Sequence, residues 1–175
     1  FCSQLPFRLR PNNAMKTSVP SDQKTLFAIC GYRLEEEFTP VFFETMRRIK
    51  QAIPGAYFVM IGASKYPSYP ADLLHCTEFT GRVLNAIEII GQCHFLLNPR
   101  RQGGGTSAVE ALSLGIPVLT DPYGDTYQYV GDDFAFDTDE DRLLFIQSYL
   151  GSTELQQEYH EKCLDRAAMV TDTRH

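Results

Sequence analysis

Two unbroken apolar runs, Thr25–Cys30 and Ala56–Ile61, and a third over residues 94–98, have the length of strands and lack polar alternation. A strand of that kind is buried on both faces, as in a parallel sheet covered by helices. Between the first two runs the period changes. Phe42, Met46, Ile49 and Ile53 fall on one helical stripe, opened by Thr39-Pro40 and closed by Pro54-Gly55. Beyond them the pattern predicts a helical turn over residues 71–74, a strand over 77–80 and a helix over 83–90. It then predicts a helix over 106–114 with Gly115 past its end, and a strand over 116–120 whose Pro117 lies outside the ladder. A last strand over 134–136 and two helices, 139–150 and 154–170, complete the series. Thr153 and Gln156 carry the spacing of a capping box.

Strands alternating with helices imply an α/β, doubly wound, Rossmann-like parallel sheet over residues 24–175. Residues 1–23, broken by Pro6, Pro11 and Pro20, read as a linker or edge segment. Ligands of such sheets bind beyond the carboxyl ends of the strands. Function is therefore expected in the loops after residues 30, 62, 80, 98 and 120.

Composition narrows the class. Of 175 residues, 43% are hydrophobic and 22% charged, enough to bury one core without disulfides or a structural metal. A net charge of −6 argues against a protein built to neutralise nucleic-acid phosphates. No apolar stretch has the length of a membrane span. Five cysteines, without a C-x-x-C pair or regular spacing, fit free thiols in the cytoplasm. A start at Phe1, without Met, reads as a beginning inside a longer chain.

The chemistry concentrates in Asn98-Pro99-Arg100-Arg101-Gln102-Gly103-Gly104-Gly105-Thr106-Ser107. A buried strand runs into two arginines, three glycines and a helix start. Glycines let backbone N–H groups approach a ligand, and the helix start adds free donors and a positive dipole end. That combination suits phosphate. It is neither a Walker loop nor G-x-G-x-x-G, and a plain flexible loop capped by Thr106 is the alternative. Glu110, four residues after Thr106, could accept bonds from two ribose hydroxyls, or be an ordinary surface glutamate. His75, His94, His160 and His175 have no metal-ligand spacing, so no metal is expected. Glu35, Glu36 and Glu37 read as a solvated loop, and Tyr123, Tyr127 and Tyr129 as packing or sugar contacts.

These residues resemble the donor-binding core of GT-B glycosyltransferases, particularly glycosyltransferase family 4 (glycosyl transferases group 1), with the pattern E-G-F-G-x-x-x-x-E-A-x-x-x-G-x-P-V. Here it reads Gln102-Gly103-Gly104-Gly105, Glu110-Ala111, Gly115 and Pro117-Val118. Gly31-Tyr32-Arg33 matches the family's Gly-Arg after the first strand, and Phe79-Thr80-Gly81-Arg82-Val83 its F-x-G-x-v. Tyr123-Gly124-Asp125 through Val130-Gly131 and residues 134–137 continue the match in order.

The resemblance implies the C-terminal, donor-binding domain of an enzyme that moves sugar from a nucleoside diphosphate, with UDP the expected carrier, to an acceptor hydroxyl. It further implies retention of configuration and no metal or other cofactor. By the same resemblance Gly103, Gly104, Gly105, Thr106 and Ser107 cradle the diphosphate and Glu110 holds the ribose. Arg33 reaches the diphosphate and Gly31 belongs to the same donor site, while Gly81, Arg82 and Val83 lie near the base. Arg33 and Gln102 take the catalytic positions. Gln102 replaces the family's first Glu, and Leu34 with three glutamates follows Arg33 where the family has a Lys. Arg101 or Arg100 is expected to substitute for that cation. The acceptor is expected on a missing N-terminal half, which could also bring peripheral membrane association, so the isolated domain should turn over weakly. A non-catalytic sugar-nucleotide-binding domain and a nucleotide-sugar epimerase of the same fold are the alternatives.

Overall fold

A computed structural model describes residues 24–172; the predicted linker over 1–23 lies outside the described residues. Five parallel strands form one sheet in the order β3-β2-β1-β4-β5: β1 (Thr25–Cys30), β2 (Ala56–Ile61), β3 (Thr77–Phe79), β4 (Phe95–Leu97) and β5 (Val118–Leu119). The helices are α1 (Leu34–Glu37), α2 (Pro40–Ala52), α3 (Ala86–Ile90), α4 (Gly105–Ser113), α5 (Gly124–Val130), α6 (Asp139–Gly151) and α7 (Thr153–Asp172).

Both faces of the sheet are covered, which explains the strands' unbroken apolar runs. Phe27 and Ile29 of β1, with Phe58, Met60 and Phe95, pack against Met46 and Ile49 of α2 and Ile146 of α6. Leu26 and Ala28, the alternate residues of β1, face Val59, Leu96, Ala108 and Leu112 of α4, and Cys163 of α7 on the other side. Each fully buried Phe or Ile contributes about 1.5–3 kcal/mol of apolar transfer. Helix α2 opens as expected: the Thr39 hydroxyl accepts from the Phe42 N–H at 3.2 Å.

Several predicted elements shift. The helix expected over 83–90 begins only at Ala86, because residues 80–85 stay irregular after β3: Gly81 takes φ +64° and its N–H donates to the Ala63 carbonyl rather than within a helix. The strand expected over 134–136 is a 3₁₀ turn, Asp132–Phe134, leaving one bridge between Thr120 and Ala135. Gly131, at φ +78°, winds the chain into that turn. Pro117 stays outside β5, yet its carbonyl accepts from the Leu96 N–H at 3.0 Å. Ser152 rather than Thr153 caps α7, accepting from the Leu155 N–H at 3.2 Å, and Gln156 instead donates to the Tyr149 carbonyl at 2.9 Å. Helix α5 is an element that the hydropathy pattern did not reveal.

Candidate functional site

The strand order reverses between β1 and β4, since β2 and β3 extend from one side of β1 and β4 and β5 from the other. Their two exit loops must part there, opening a crevice at the carboxyl edge. The first loop holds Cys30, Gly31 and Arg33; the second runs from Asn98 through the three glycines into α4.

The helix α4 begins at Gly105, one residue earlier than the sequence predicts. Its N-cap is Gly104, in a left-handed conformation (φ +99°, ψ 0°), and no side chain caps the helix. Thr106 therefore does not cap this N-terminus; it is exposed in the first turn, where N–H donors and the dipole favour an anion. The Ser107 hydroxyl instead donates to the Gly104 carbonyl at 3.1 Å and lies within bonding reach of the Cys30 thiol. Burial raises the Cys30 pKa, partly countered by the Arg101 charge. Glu110 is half-buried one turn further on in α4, and its charge adds to the upward shift of the same thiol.

The glycine turn is held firmly from the α5 side. The Asp125 N–H donates to the Gln102 carbonyl at 2.7 Å, and the fully buried Thr126 donates its hydroxyl to the Gly103 carbonyl at 3.2 Å. The Gln102 side chain is exposed and donates weakly to Asp125 Oδ1 at 3.4 Å. A Cβ at Gly105 would overlap the Tyr129 ring, so that tyrosine packs. Tyr127 donates to Asp132 Oδ1 at 2.7 Å, and Tyr123 lies 4.4 Å beneath the Arg100 guanidinium. Gly103 differs from its neighbours: nothing lies within 4 Å of a Cβ built there.

The arginines separate into two kinds. Arg33 is 74% exposed and turned back onto Glu36, to which Nε donates at 2.9 Å. Arg100 is exposed, 3.8 Å from Asp121. Arg101 is only 8% exposed, with its guanidinium bonded to Asn98, Glu37 and the Cys30 carbonyl. The three glutamates form the helix α1 rather than a loop: Glu35 and Glu36 are solvated as expected, whereas Glu37 is an ion-pair partner inside the crevice. Sequence reasoning missed that role, because nothing local to Glu37 announces a partner 64 residues away.

Gly81, Arg82 and Val83 follow β3, two strands away from the crevice. The Gly81 N–H donates to the Ala63 carbonyl at 2.9 Å, Arg82 is exposed, and Val83 packs against the core beneath. The structure therefore groups Gly31, Arg101, Gly103, Gly104, Gly105, Ser107 and Glu110 about one crevice and leaves Arg82 at its flank. Among the described residues no three His, Cys, Asp or Glu side chains lie close enough together to hold a metal ion. No helix among them is long and apolar enough to cross a membrane.

The family model for glycosyl transferases group 1 matches residues 23–146. The chain belongs to that family. Among solved structures, an O-GlcNAc transferase from Thermobaculum terrenum superposes with a TM-score of 0.67 at 18% identity, covering 91% of this chain and 35% of that one. Anabaena HepE, solved with UDP and glucose, gives 0.66 at 12%, covering 85% and 45%. S. aureus TarM, in a complex with Fondaparinux, alpha-GlcNAc-glycerol and UDP, gives 0.66 at 13%, covering 91% and 35%. At such identities the likeness shows the GT-B Rossmann-like fold. The chain spans between about a third and just under half of these structures. A search among curated proteins found no sequence match.

Proposed function

We propose that the β1/β4 crevice binds a nucleoside-diphosphate sugar, with UDP as the nucleotide, and serves as the donor half of a retaining, metal-independent glycosyltransferase in the cytoplasm. The observation that carries this reading is the helix α4 N-terminus, uncapped by any side chain, behind a glycine turn with open space at Gly103. The backbone N–H groups of residues 103–107 take the diphosphate, Glu110 takes the ribose hydroxyls, and the loop at Gly81, Arg82 and Val83 flanks the base. Gln102, exposed at the mouth, bonds sugar hydroxyls through its neutral amide.

In the transfer, the sugar C1–O bond to the diphosphate breaks and its electron pair leaves with the diphosphate. The acceptor hydroxyl oxygen forms the new bond to C1 and passes its proton to the departing diphosphate oxygen. Negative charge grows on the departing diphosphate, where the α4 dipole and the exposed Arg33 stabilise it. The acceptor is an alcohol held by a second domain, and any peripheral membrane association belongs to that domain.

A thermal-shift screen of the chain against UDP-, GDP- and ADP-sugars tests the reading. A ligand at about 100 times its Kd stabilises the fold by about 2.7 kcal/mol. A rise in Tm with the UDP-sugar is expected; no shift with any of the three would overturn the donor site. Binding without transfer by the full-length protein would favour a non-catalytic domain, the reading that Gln102 in place of Glu supports.

A further inference from the structure

We infer that Arg101 is a positioning residue that sets the glycine turn against the β1 loop, and is not itself a phosphate ligand. The inference rests on the donor-site reading above and changes what one of its cations does. Three segments that line the crevice each give Arg101 one acceptor. Nε donates to Asn98 Oδ1 at 3.0 Å, beyond β4; Nη2 donates to the Cys30 carbonyl at 2.7 Å, at the end of β1; Nη1 donates to Glu37 Oε2 at 2.5 Å, in α1. All three nitrogens of the guanidinium are engaged, and the side chain is 8% exposed.

Two of the site's glycines make room for this side chain. A Cβ at Gly31 would stand 2.7 Å from Nη1, and one at Gly104 would stand 2.8 Å from Nη2 and 2.9 Å from Nε. The guanidinium therefore lies wedged between the two loops that must hold the diphosphate, with a backbone against it on each side. Glu37 balances its charge where water cannot, which a buried cation requires. The planar fork matters as much as the charge: an ammonium cannot satisfy three acceptors in these directions. Arg101 thus acts on the ligand through Gly104, the residue that orients the first N–H groups of α4.

Glu37→Gln separates this role from direct phosphate binding. Freed of its counter-ion, a phosphate-binding Arg101 would hold UDP more tightly. A positioning Arg101 would lose its anchor, and UDP affinity should fall at least fivefold by calorimetry while uridine affinity stays within twofold. Arg101→Lys, which keeps the charge, should lose as much affinity as Arg101→Ala. In the ligand-free protein, amide exchange over residues 102–107 should accelerate at least tenfold in Glu37→Gln and Arg101→Lys, at unchanged exchange in β2. Tighter or unchanged UDP binding by Glu37→Gln, or wild-type affinity in Arg101→Lys, would overturn the inference. So would unaltered exchange over 102–107, a result that needs no ligand. If the wild-type chain binds no UDP, the donor-site reading fails alone and the exchange result still decides the role of Arg101. Should Arg101→Ala not fold, Glu37→Gln and Arg101→Lys carry the test.

Discussion

The two loops that border the crevice are built on different terms. Beyond β4 nearly every group is bound: the Gln102 and Gly103 carbonyls accept from α5, Gly104 lies against Arg101, and Gly105 lies against Tyr129. Beyond β1, Glu37 turns in to Arg101, but the groups around it face outward: Arg33 is bonded only to its neighbour Glu36 and Tyr32 is 69% exposed, and at the flank beyond β3 Arg82 and Leu84 are exposed as well. The contrast separates two tasks. Backbone N–H donors must be preorganised, because they cannot reorient once a ligand arrives. Long side chains can close on a ligand after it binds, at the cost of ordering them.

Breaking the ordered side should have the largest effect. A Cβ at Gly124, where φ is +72°, would collide with the Arg101 carbonyl and the Gln102 backbone. Gly124→Ala is expected to lose about 3 kcal/mol of stability, from strain and overpacking together, read as a lowered midpoint in urea. Gly131→Ala, also at positive φ but with its nearest neighbours 3.5 Å away on Arg166, should cost less. Equal losses would mean that the glycine turn does not depend on α5.

On the open side the effect should fall on the ligand alone. Arg33→Ala is expected to weaken UDP binding at least tenfold, about 1.4 kcal/mol, with the urea midpoint unchanged, since the residue is bonded only at the surface. Unchanged affinity by calorimetry would remove Arg33 from the site. Gly103→Ala sharpens the contrast from the ordered side. With nothing within 4 Å of its Cβ, it should alter stability by less than about 0.5 kcal/mol. It should nevertheless weaken UDP, because the methyl group projects into the space proposed for the diphosphate. Wild-type affinity would place the phosphates elsewhere on the turn.

The smallest expected effect is kinetic. Burial raises the Cys30 pKa, so the thiol stays protonated at neutral pH and its alkylation should be slow, accelerating as pH rises toward its titration. The sign for stability follows: a raised folded-state pKa adds stability below the unfolded pKa, and that contribution disappears as pH rises through the folded one. Bound UDP should slow the alkylation of Cys30 further, followed by mass spectrometry of its peptide, while Cys76, Cys93 and Cys163, all buried, remain unreactive with or without ligand.

Much of this architecture is legible in the sequence. β1 and β2 appear at the residues where their apolar runs begin and end, because a strand covered on both faces must be apolar throughout. The Thr39 cap, the α2 stripe and the glycine-rich entry to α4 were legible for similarly local reasons: caps, periods and glycines act within one or two turns. The family pattern carried the proposed donor site further than the residues alone could. Helix α5 escaped because Gly124-Asp125-Thr126-Tyr127 has a weak helical period, and its reason for being there is the carbonyls of residues 102 and 103.

Sequence alone determined which stretches are strands, which glycine turn meets a helix, and which family pattern they follow, since each depends on neighbours along the chain. The division of labour among the arginines was decided by the tertiary structure. Arg33, Arg100 and Arg101 are alike as text, yet only Arg101 is enclosed, because the strand-order reversal brings Cys30, Glu37 and Asn98 around it from segments up to 71 residues apart. Whether a charge meets solvent, a ligand or a buried carboxylate depends on what the fold places within a few ångströms of it, and topology alone sets that.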